Sequence, residues 1–252
     1  MRRRCVTSTI VADPHFVDPR LAAIYDDLDP DRSDLDHYMF ILEEFQARSV
    51  LDIGCGTGTF ACRLANLGFQ VTGVDPAQAS LDVARQKHGS ERVSWICGTA
   101  EDVPSLACDA VTMTGNVAQV FLRDEDWAAT LASVRAALHP SGHLVFETRD
   151  PSRRGWEDWN PHDTRSIVDI DGVGQVEYSV ELVDVSLPFV SFKSTYRFAT
   201  DGAVLTSDST LRFRERDELS ASLNDAGYSV CEVRDAPDRP GREFVFIAGP
   251  AE

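Results

Sequence analysis

The segment from Val50 to Gly58 reads VLDIGCGTG, a short apolar run that passes through Asp52 into three closely spaced glycines. An apolar run of this length is typical of a buried strand. Glycine places no side chain between the backbone and a ligand, and it adopts the positive φ angles that tight turns often need. The segment therefore predicts a buried strand that ends in a ligand-contacting loop.

The spacing of the glycines distinguishes between two kinds of nucleotide site. Dinucleotide-binding proteins space them G-x-G-x-x-G and hold a pyrophosphate at the start of the following helix. In this chain the spacing is G-x-G-x-G, behind an acidic residue. The pattern therefore disfavours a nicotinamide-dependent reductase.

Hydrophobic periodicity predicts two N-terminal helices, at 21–25 and 35–46, followed by alternating strands and helices. The alternating part comprises strands at 49–53, 70–74, 92–97, 109–113 and 143–149 and helices at 57–67, 77–87 and 124–138. Such alternation is typical of a doubly wound parallel sheet, an α/β fold. Right-handed crossovers place the carboxyl ends of the parallel strands at one edge, so we expect the glycine loop at that edge.

From about residue 166 to residue 214 the sequence instead alternates polar and apolar residues, as half-buried strands do. Asp201-Gly202 between two such runs is typical of a hairpin turn. We expect three or four antiparallel strands here, followed by a last helix at 216–226 and strands at 229–234 and 243–248. The insertion would leave the sheet beside the glycine loop and could cover a substrate, although packing on the core alone is an alternative.

Four segments resemble motifs of the class I S-adenosylmethionine-dependent methyltransferases. They are VLDIGCGTG, VTGVD (Val71 to Asp75), CDAVTMTGN (Cys108 to Asn116) and LHPSGHLVFET (Leu138 to Thr148). The resemblance implies a Rossmann-like seven-stranded sheet. It divides the chain into an N-terminal helical cap (1–48), a cofactor-binding core (49–150), a β-rich insertion (151–214) and the closing core elements (215–252).

The resemblance also implies S-adenosylmethionine as the cofactor. Asp52 would accept from its α-amino group, and Asp75 would take both ribose hydroxyls. Capping of the helix that begins near Pro76 is the alternative role for Asp75. Tyr25 would cap the cofactor, whereas Tyr38 is either a second cap or part of the core. The implied cofactor-binding residues are Tyr25, Asp52, Gly54, Cys55, Gly56, Asp75, Pro76, Ala100, Glu101, Thr114 and Gly115.

One segment departs from the family pattern. The third strand commonly ends in glycine-aspartate-alanine, whose aspartate meets the adenine amino group, but this chain reads Gly98-Thr99-Ala100-Glu101-Asp102. Threonine is a weaker acceptor than a carboxylate. The backbone at Ala100, or the carboxylate of Glu101 or Asp102, could contact the adenine instead. Solvation of the loop by the two acidic residues is the alternative.

Methyl transfer requires an acceptor held close to the donor in a dry site, so positioning alone can suffice. His162 is the candidate base, with a solvated loop position as the alternative. Arg149 could hold a substrate carboxylate or pair with Asp150 or Glu147. Trp156 could stack on a flat substrate or pack on apolar surface.

The amino-acid composition limits which kinds of partner the chain can bind. A formal net charge of −17 disfavours a nucleic-acid substrate, because phosphate backbones are bound by clustered Lys and Arg. No apolar run approaches the roughly 18 residues of a membrane span. The start MRRR lacks the apolar stretch of a secretory signal, and we expect a frayed tail there. Six cysteines without zinc-site spacing predict small buried residues in a reducing cytoplasm and no metal.

These features predict an enzyme that transfers a methyl group from S-adenosylmethionine to N or O of a small molecule. A regulatory protein that binds the cofactor without methyl transfer is the alternative, because nothing in the glycine loop separates the two. The sequence leaves the oligomeric state and the identity of the acceptor open.

Overall fold

A computed structural model of the chain describes residues 12–251. The expected tail MRRR and Cys5 lie outside the described residues. The strands β1 to β11 are Ser49–Ile53, Gln70–Asp75, Val93–Cys97, Cys108–Met113, Leu138–Arg149, Ser166–Ile170, Gly174–Ser186, Phe189–Phe198, Val204–Arg212, Tyr228–Asp235 and Glu243–Pro250. The helices α1 to α8 are Pro14–Val17, Pro19–Leu28, Asp34–Glu44, Thr59–Asn66, Gln78–Ala84, Asp124–Ala137, Pro161–Thr164 and Arg216–Asp225. None of these helices is long and apolar enough to cross a membrane.

Seven strands form the main sheet, in the order β10-β11-β5-β4-β1-β2-β3. Strands β1 to β5 are parallel, whereas β11 runs antiparallel to both β5 and β10. The strand order reverses between β1 and β4, because β2 and β3 extend the sheet to one side and β4 and β5 to the other. Ligands of doubly wound folds bind at such a reversal, outside the carboxyl ends of the strands. The predicted Rossmann-like α/β fold is confirmed.

Helices cover both faces of the main sheet, because consecutive residues of a strand point to opposite faces. Leu51 and Ile53 of β1 pack in one core with side chains of α6 and α8. Val50 packs in a second core with side chains of α3 and α4. Strand β1 is therefore buried from both sides, which fixes the position of the glycine loop that follows it.

The β-rich insertion is a four-stranded antiparallel sheet in the order β6-β7-β8-β9. Its last hairpin turns at Asp201 and Gly202, and Gly202 has a φ of +72°. Leu21 and Ile24 of α2 form a small core with buried side chains of this sheet. The Arg20 guanidinium, on the same helix, pairs with Asp201 at 2.8 Å. The N-terminal helices and the insertion therefore support each other.

Several element boundaries differ from the sequence-based expectations. Helix α4 begins at Thr59 rather than at residue 57, because Gly58 has a φ of +76° and cannot lie within a right-handed helix. Strand β5 begins at Leu138, five residues earlier than predicted, and α5 ends at Ala84, three residues earlier. Helices α1 and α7 and the 3-10 turns at 151–153 and 155–158 were not predicted, because such short segments carry no detectable periodicity.

The cysteines are less uniformly buried than predicted. Cys62 and Cys108 are buried and Cys55 is half-buried, but Cys97 and Cys231 are exposed. The two exposed thiols lie on β3 and β10, which are the edge strands of the main sheet. Within residues 12–251 the cysteines are free thiols.

Candidate active site

A cavity of about 350 Å³ lies at the carboxyl ends of β1, β2 and β4. Its walls also include parts of the N-terminal segment, of the turn after β4 and of β9. Most of the residues that the sequence assigns to the cofactor line this cavity. They are Tyr25, Asp52, Gly54, Cys55, Gly56, Asp75, Pro76, Thr114 and Gly115.

The glycine loop has the backbone that its sequence predicts. Gly54, Gly56 and Gly58 have φ angles of +68°, +53° and +76°. A β-carbon at Gly54 would lie 2.5 Å from the Cγ2 atom of Val117, so this glycine is required for packing as well as for its φ. A β-carbon at Gly56 would meet nothing within 4 Å. Since Gly56 lines the cavity, the loop presents bare backbone to any ligand there.

Asp52 is a buried carboxylate with an unused oxygen. The residue is 1% exposed, and its Oδ1 accepts a hydrogen bond of 2.8 Å from the Thr112 hydroxyl. Its Oδ2 has no partner among the described residues. Burial raises the pKa of Asp52 to about 7. A cationic group in the cavity would both partner the free oxygen and favour the ionised form.

Asp75 combines the two roles that the sequence leaves open. Its Oδ1 accepts from the Ala77 backbone N–H at 2.8 Å, near the start of α5. Its Oδ2 accepts from the Gly56 backbone N–H at 2.9 Å, which fixes the glycine loop. Burial raises the pKa of Asp75, and these two N–H donors act against that rise. Each carboxylate oxygen has two lone pairs, so each can accept one further hydrogen bond from a ligand hydroxyl.

Arg32 lines the same cavity but was not predicted as a site residue. Its Nε and Nη2 atoms each donate to the Asp34 carboxylate at 3.1 Å, which leaves Nη1 without an assigned bond. It is the one Lys or Arg among the described residues that line the cavity. No sequence signal identifies it, because it lies in the irregular segment between α2 and α3.

The turn after β4 is held by a buried carboxylate from the neighbouring strand. Glu147 of β5 is 7% exposed and accepts from the backbone N–H of Gly115 and, at 3.0 Å, from that of Asn116. The Tyr38 hydroxyl donates to the other oxygen of Glu147. Tyr38 is 2% exposed and does not line the cavity, so the structure places it in the core. Thr114 and Gly115 are thus fixed from behind.

A polar cluster ties α2 to the glycine loop. Asp26 accepts from the hydroxyls of Thr57 at 2.7 Å and Thr59 at 3.1 Å. Lys87 pairs with the same carboxylate at 2.6 Å. Tyr25, the adjacent residue of α2, lines the cavity. The helix that carries Tyr25 is therefore anchored directly to the predicted cofactor loop.

Two predicted adenine-side residues are not in the cavity wall. Ala100 is 6% exposed, and Glu101 is exposed at the surface. Asp102 is occupied locally, since its Oδ2 accepts from the backbone N–H of Thr99 at 2.8 Å and from its hydroxyl. These contacts form a capping box around a 3-10 turn. Which of these residues would contact the adenine amino group of the cofactor therefore stays a prediction.

The predicted catalytic and substrate residues lie outside the cavity wall, which corrects the expectation for them. The His162 side chain is 94% exposed and bonds to Asp163 at 2.7 Å, so the solvated alternative describes it. Trp156 is 2% exposed and packs against Phe213, with ring centroids 4.8 Å apart. Arg149 donates to Gln119 at 3.0 Å and lies 3.7 Å from a carboxylate oxygen of Glu243, which faces it across the β5–β11 ladder.

No group of three or more His, Cys, Asp or Glu side chains within residues 12–251 is arranged to hold a metal ion. The cavity instead combines acidic side chains, one guanidinium and open backbone. Such a set suits an organic ligand that carries hydroxyl, amino and carboxylate groups together.

Comparison with known proteins finds relatives for the part of the chain that carries the glycine loop. The model of a methyltransferase domain family matches residues 50–142, which include β1 to β4 and the glycine loop. Residues 50–142 are thus similar to a methyltransferase domain. A relative from Geobacillus is 25% identical over 215 residues, which is 80% of this chain and 84% of the relative. Other curated relatives match over less than half of their own length.

Solved structures extend the likeness to the whole fold. A sugar N-methyltransferase from Streptoalloteichus superposes with a TM-score of 0.77 at 19% identity, over 91% of this chain and 92% of that one. An amino pentose methyltransferase from Micromonospora echinaspora, solved with S-adenosylmethionine bound, gives 0.70 at 21% identity, over 91% and 95%. At these identities the likeness establishes the fold, which is that of the class I methyltransferases.

Proposed function

We propose that this methyltransferase-domain protein is an enzyme that uses S-adenosylmethionine to methylate N or O of a small molecule. The observation that carries the proposal is the joint presence of Asp52, Asp75 and the open glycine loop in one cavity. Bound S-adenosylmethionine supplies a methyl group that its sulfonium makes electrophilic. The structural relative with that cofactor bound supports this choice.

The charged residues of the cavity fit the polar groups of the cofactor. Asp52, with its unpartnered Oδ2, would hold the α-amino group. Arg32, the cation of the wall, would hold the carboxylate. Asp75 would accept from the ribose hydroxyls with its remaining lone pairs. The backbone from Gly54 to Gly56 would lie against the ligand.

The chain's own contribution to the reaction is binding, orientation and exclusion of water. Phe16, Val117, Val120 and Leu122 give part of the cavity an apolar wall, which keeps water from the acceptor. No histidine occurs among the described residues of the wall. We therefore assign catalysis to the positioning of the acceptor rather than to a histidine base.

The insertion at 151–214 supplies the substrate cover. Asp208 and Thr210 of β9 line the cavity, and the insertion packs on α2, which carries Tyr25. Two structural relatives are named as methyltransferases of a sugar and of an amino pentose, which supports a small-molecule acceptor. The absence of nucleic-acid binding and the cytoplasmic location stay predictions.

Gly56→Ala should weaken cofactor binding about tenfold or more, because its β-carbon would occupy the space in which the loop meets the ligand. Gly68→Ala is the matched control, since Gly68 has a φ of +94°, also has open space around it and lies outside the cavity wall. Alanine is more strained at Gly68, whose φ lies outside the left-handed region, than at Gly56 with a φ of +53°. Calorimetric titration should nevertheless find reduced affinity for Gly56→Ala alone. Equal affinities in the two variants would contradict the placement of the loop.

Calorimetry with S-adenosylmethionine and S-adenosylhomocysteine tests cofactor binding, and methyl transfer from labelled cofactor to amine and hydroxyl acceptors tests the reaction. A ligand at about 100 times its Kd should stabilise the fold by about 2.7 kcal/mol, which a thermal scan detects. Absence of both heat and thermal shift would contradict the proposal. Binding without transfer to any acceptor would favour the regulatory alternative.

A further inference from the structure

The charges of the cavity wall are not all used by the proposed cofactor. Among the described residues, those that carry charge in the wall are Asp13, Arg32, Asp52, Asp75 and Asp208. The cofactor's amino, ribose and carboxylate groups account for Asp52, Asp75 and Arg32. Asp208 pairs with Lys193 at 3.3 Å and its side chain is 72% exposed. Asp13 is the wall residue whose negative charge is paired neither with a described cation nor with a group of the cofactor.

Asp13 precedes α1, but its carboxylate does not serve that helix. The backbone carbonyl of Asp13 accepts from the N–H groups of Phe16 and Val17, while the side chain makes no capping hydrogen bond. No salt bridge to Asp13 occurs among residues 12–251. A carboxylate at an N-cap position usually bonds to the first turn. This carboxylate is therefore available to a ligand.

The surroundings of Asp13 are partly buried. Burial raises the pKa of its carboxyl, and the hydroxyl of Ser209 acts against that rise. Ser209 lies on β9 and is 4% exposed, so its hydroxyl is a buried neighbour of the Asp13 carboxylate. Both groups lie where α1 packs against the insertion. A polar ligand group at this junction would partner a buried hydroxyl as well as the carboxylate.

The rest of this wall selects against negative charge. Phe16, Val117, Val120 and Leu122 are apolar, and the Thr210 hydroxyl is already bonded to Ser191 at 2.8 Å. Arg32, the one cation of the described wall, pairs with Asp34 and is assigned to the carboxylate of the cofactor. A carboxylate or phosphate on the acceptor would therefore find no further cation among the described wall residues, whereas a cation would find Asp13.

We infer that Asp13 binds the amino group of the acceptor, and that the acceptor is a primary or secondary amine on an otherwise uncharged small molecule. The inference rests on the proposed function and narrows its choice of N or O to nitrogen. Alcohols of the same carbon skeleton are poorer ligands, since they carry no charge to pair with the carboxylate.

The charges of the reaction agree with this assignment. An alkylamine binds mainly as an ammonium ion and releases one proton to water before transfer. The nitrogen lone pair then forms the new N–C bond while the S–C bond of the donor breaks. The methylated nitrogen takes up the positive charge that the sulfur loses. Asp13 would thus face a nitrogen that gains positive charge during the reaction, and this favours the transition state over the neutral amine.

The experiment compares Asp13→Asn with wild type on primary amines and on the alcohols of the same skeletons. Labelled S-adenosylmethionine measures transfer, and calorimetry in saturating S-adenosylhomocysteine measures acceptor binding. Wild type should methylate amines and not the matched alcohols. Asp13→Asn should lower kcat/KM for the best amine at least tenfold and weaken its binding, with the cofactor Kd within twofold of wild type. Asp225→Asn, at an exposed aspartate at the end of α8, makes the same charge change as a control and should match wild type.

Three results would overturn the inference while leaving the proposed function intact. One is transfer to alcohols in preference to amines, and another is an unchanged kcat/KM and amine affinity in Asp13→Asn. The third is neither methylation nor binding of any amine by a wild-type protein that binds the cofactor normally. Failure of the wild-type protein to bind the cofactor would instead overturn the proposed function, and this inference with it.

Discussion

Replacing Asp75 with alanine is expected to weaken the binding of S-adenosylmethionine by about 100-fold. Hydrogen bonds to a charged group contribute about 1.5–3 kcal/mol each, and about 1.4 kcal/mol corresponds to a tenfold change in Kd. The variant loses two such bonds to the ribose. It also loses the bonds by which the carboxylate holds the N–H groups of Gly56 and Ala77, so the glycine loop is less well ordered for the ligand.

Titration calorimetry with S-adenosylmethionine measures this change directly. Asp82→Ala provides the control, because Asp82 lies on the following helix, is 61% exposed and pairs with Arg85 at 3.0 Å. It removes the same charge from a neighbouring surface and should leave the Kd within about twofold, as surface ion pairs contribute little. An Asp75→Ala protein that binds as tightly as Asp82→Ala would disprove the ribose role.

The affinity for S-adenosylmethionine is also expected to depend on the ionisation of Asp52. With its pKa raised to about 7 by burial, the carboxyl of the unliganded protein is mostly protonated at pH 5.5 and mostly ionised at pH 7.5. Only the ionised form pairs with the ligand's ammonium group, so the affinity should rise about 25-fold between about pH 5.5 and 7.5. The α-amino group of the ligand titrates only near about pH 8, so the gain should level off there.

The stability of the unliganded protein should change in the opposite direction. An aspartate in the unfolded chain releases its proton near its ordinary pKa of about 3.9, whereas folded Asp52 keeps it to about pH 7. The unfolded state therefore binds fewer protons between these values, and this group makes the fold less stable as the pH rises through that window. Asp52→Asn should weaken cofactor binding and abolish most of its pH dependence. A wild-type affinity that is flat from about pH 5.5 to 7.5 would contradict the role of Asp52.

The sequence predicts the donor half of the cavity because its determinants are local. Asp52 and Asp75 each follow from a strand and from the rule that parallel strands end at one edge. The glycine spacing fixes the loop between them. These residues need no knowledge of distant packing, which explains why they line the cavity as expected.

The acceptor half depends on segments that meet only in the folded protein. Asp13 lies in an irregular stretch of the N-terminal segment, as does Arg32 on the donor side, and Asp208 lies on an edge strand of the insertion. None of them belongs to a motif. The partner of Arg149 was not predicted for the same reason. Its carboxylate neighbour, Glu243, lies 94 residues later and is brought beside it by the antiparallel pairing of β11 with β5.

The hydrogen bonds of Glu147 have a consequence for which parts of such a protein can change sequence during evolution. The Glu147 carboxylate joins β5, helix α3 and the turn that carries Thr114 and Gly115. A substitution of Glu147 therefore leaves several buried polar groups without a hydrogen-bond partner at once. The turn at 117–122 is held through its backbone instead, because Arg212 donates to the carbonyl oxygen of Leu122 and Arg214 donates to that of Phe121. We therefore expect mutations of the wall side chains to be tolerated better than substitutions at Glu147. Engineering for a new acceptor should begin at Val120, Leu122 and Thr210.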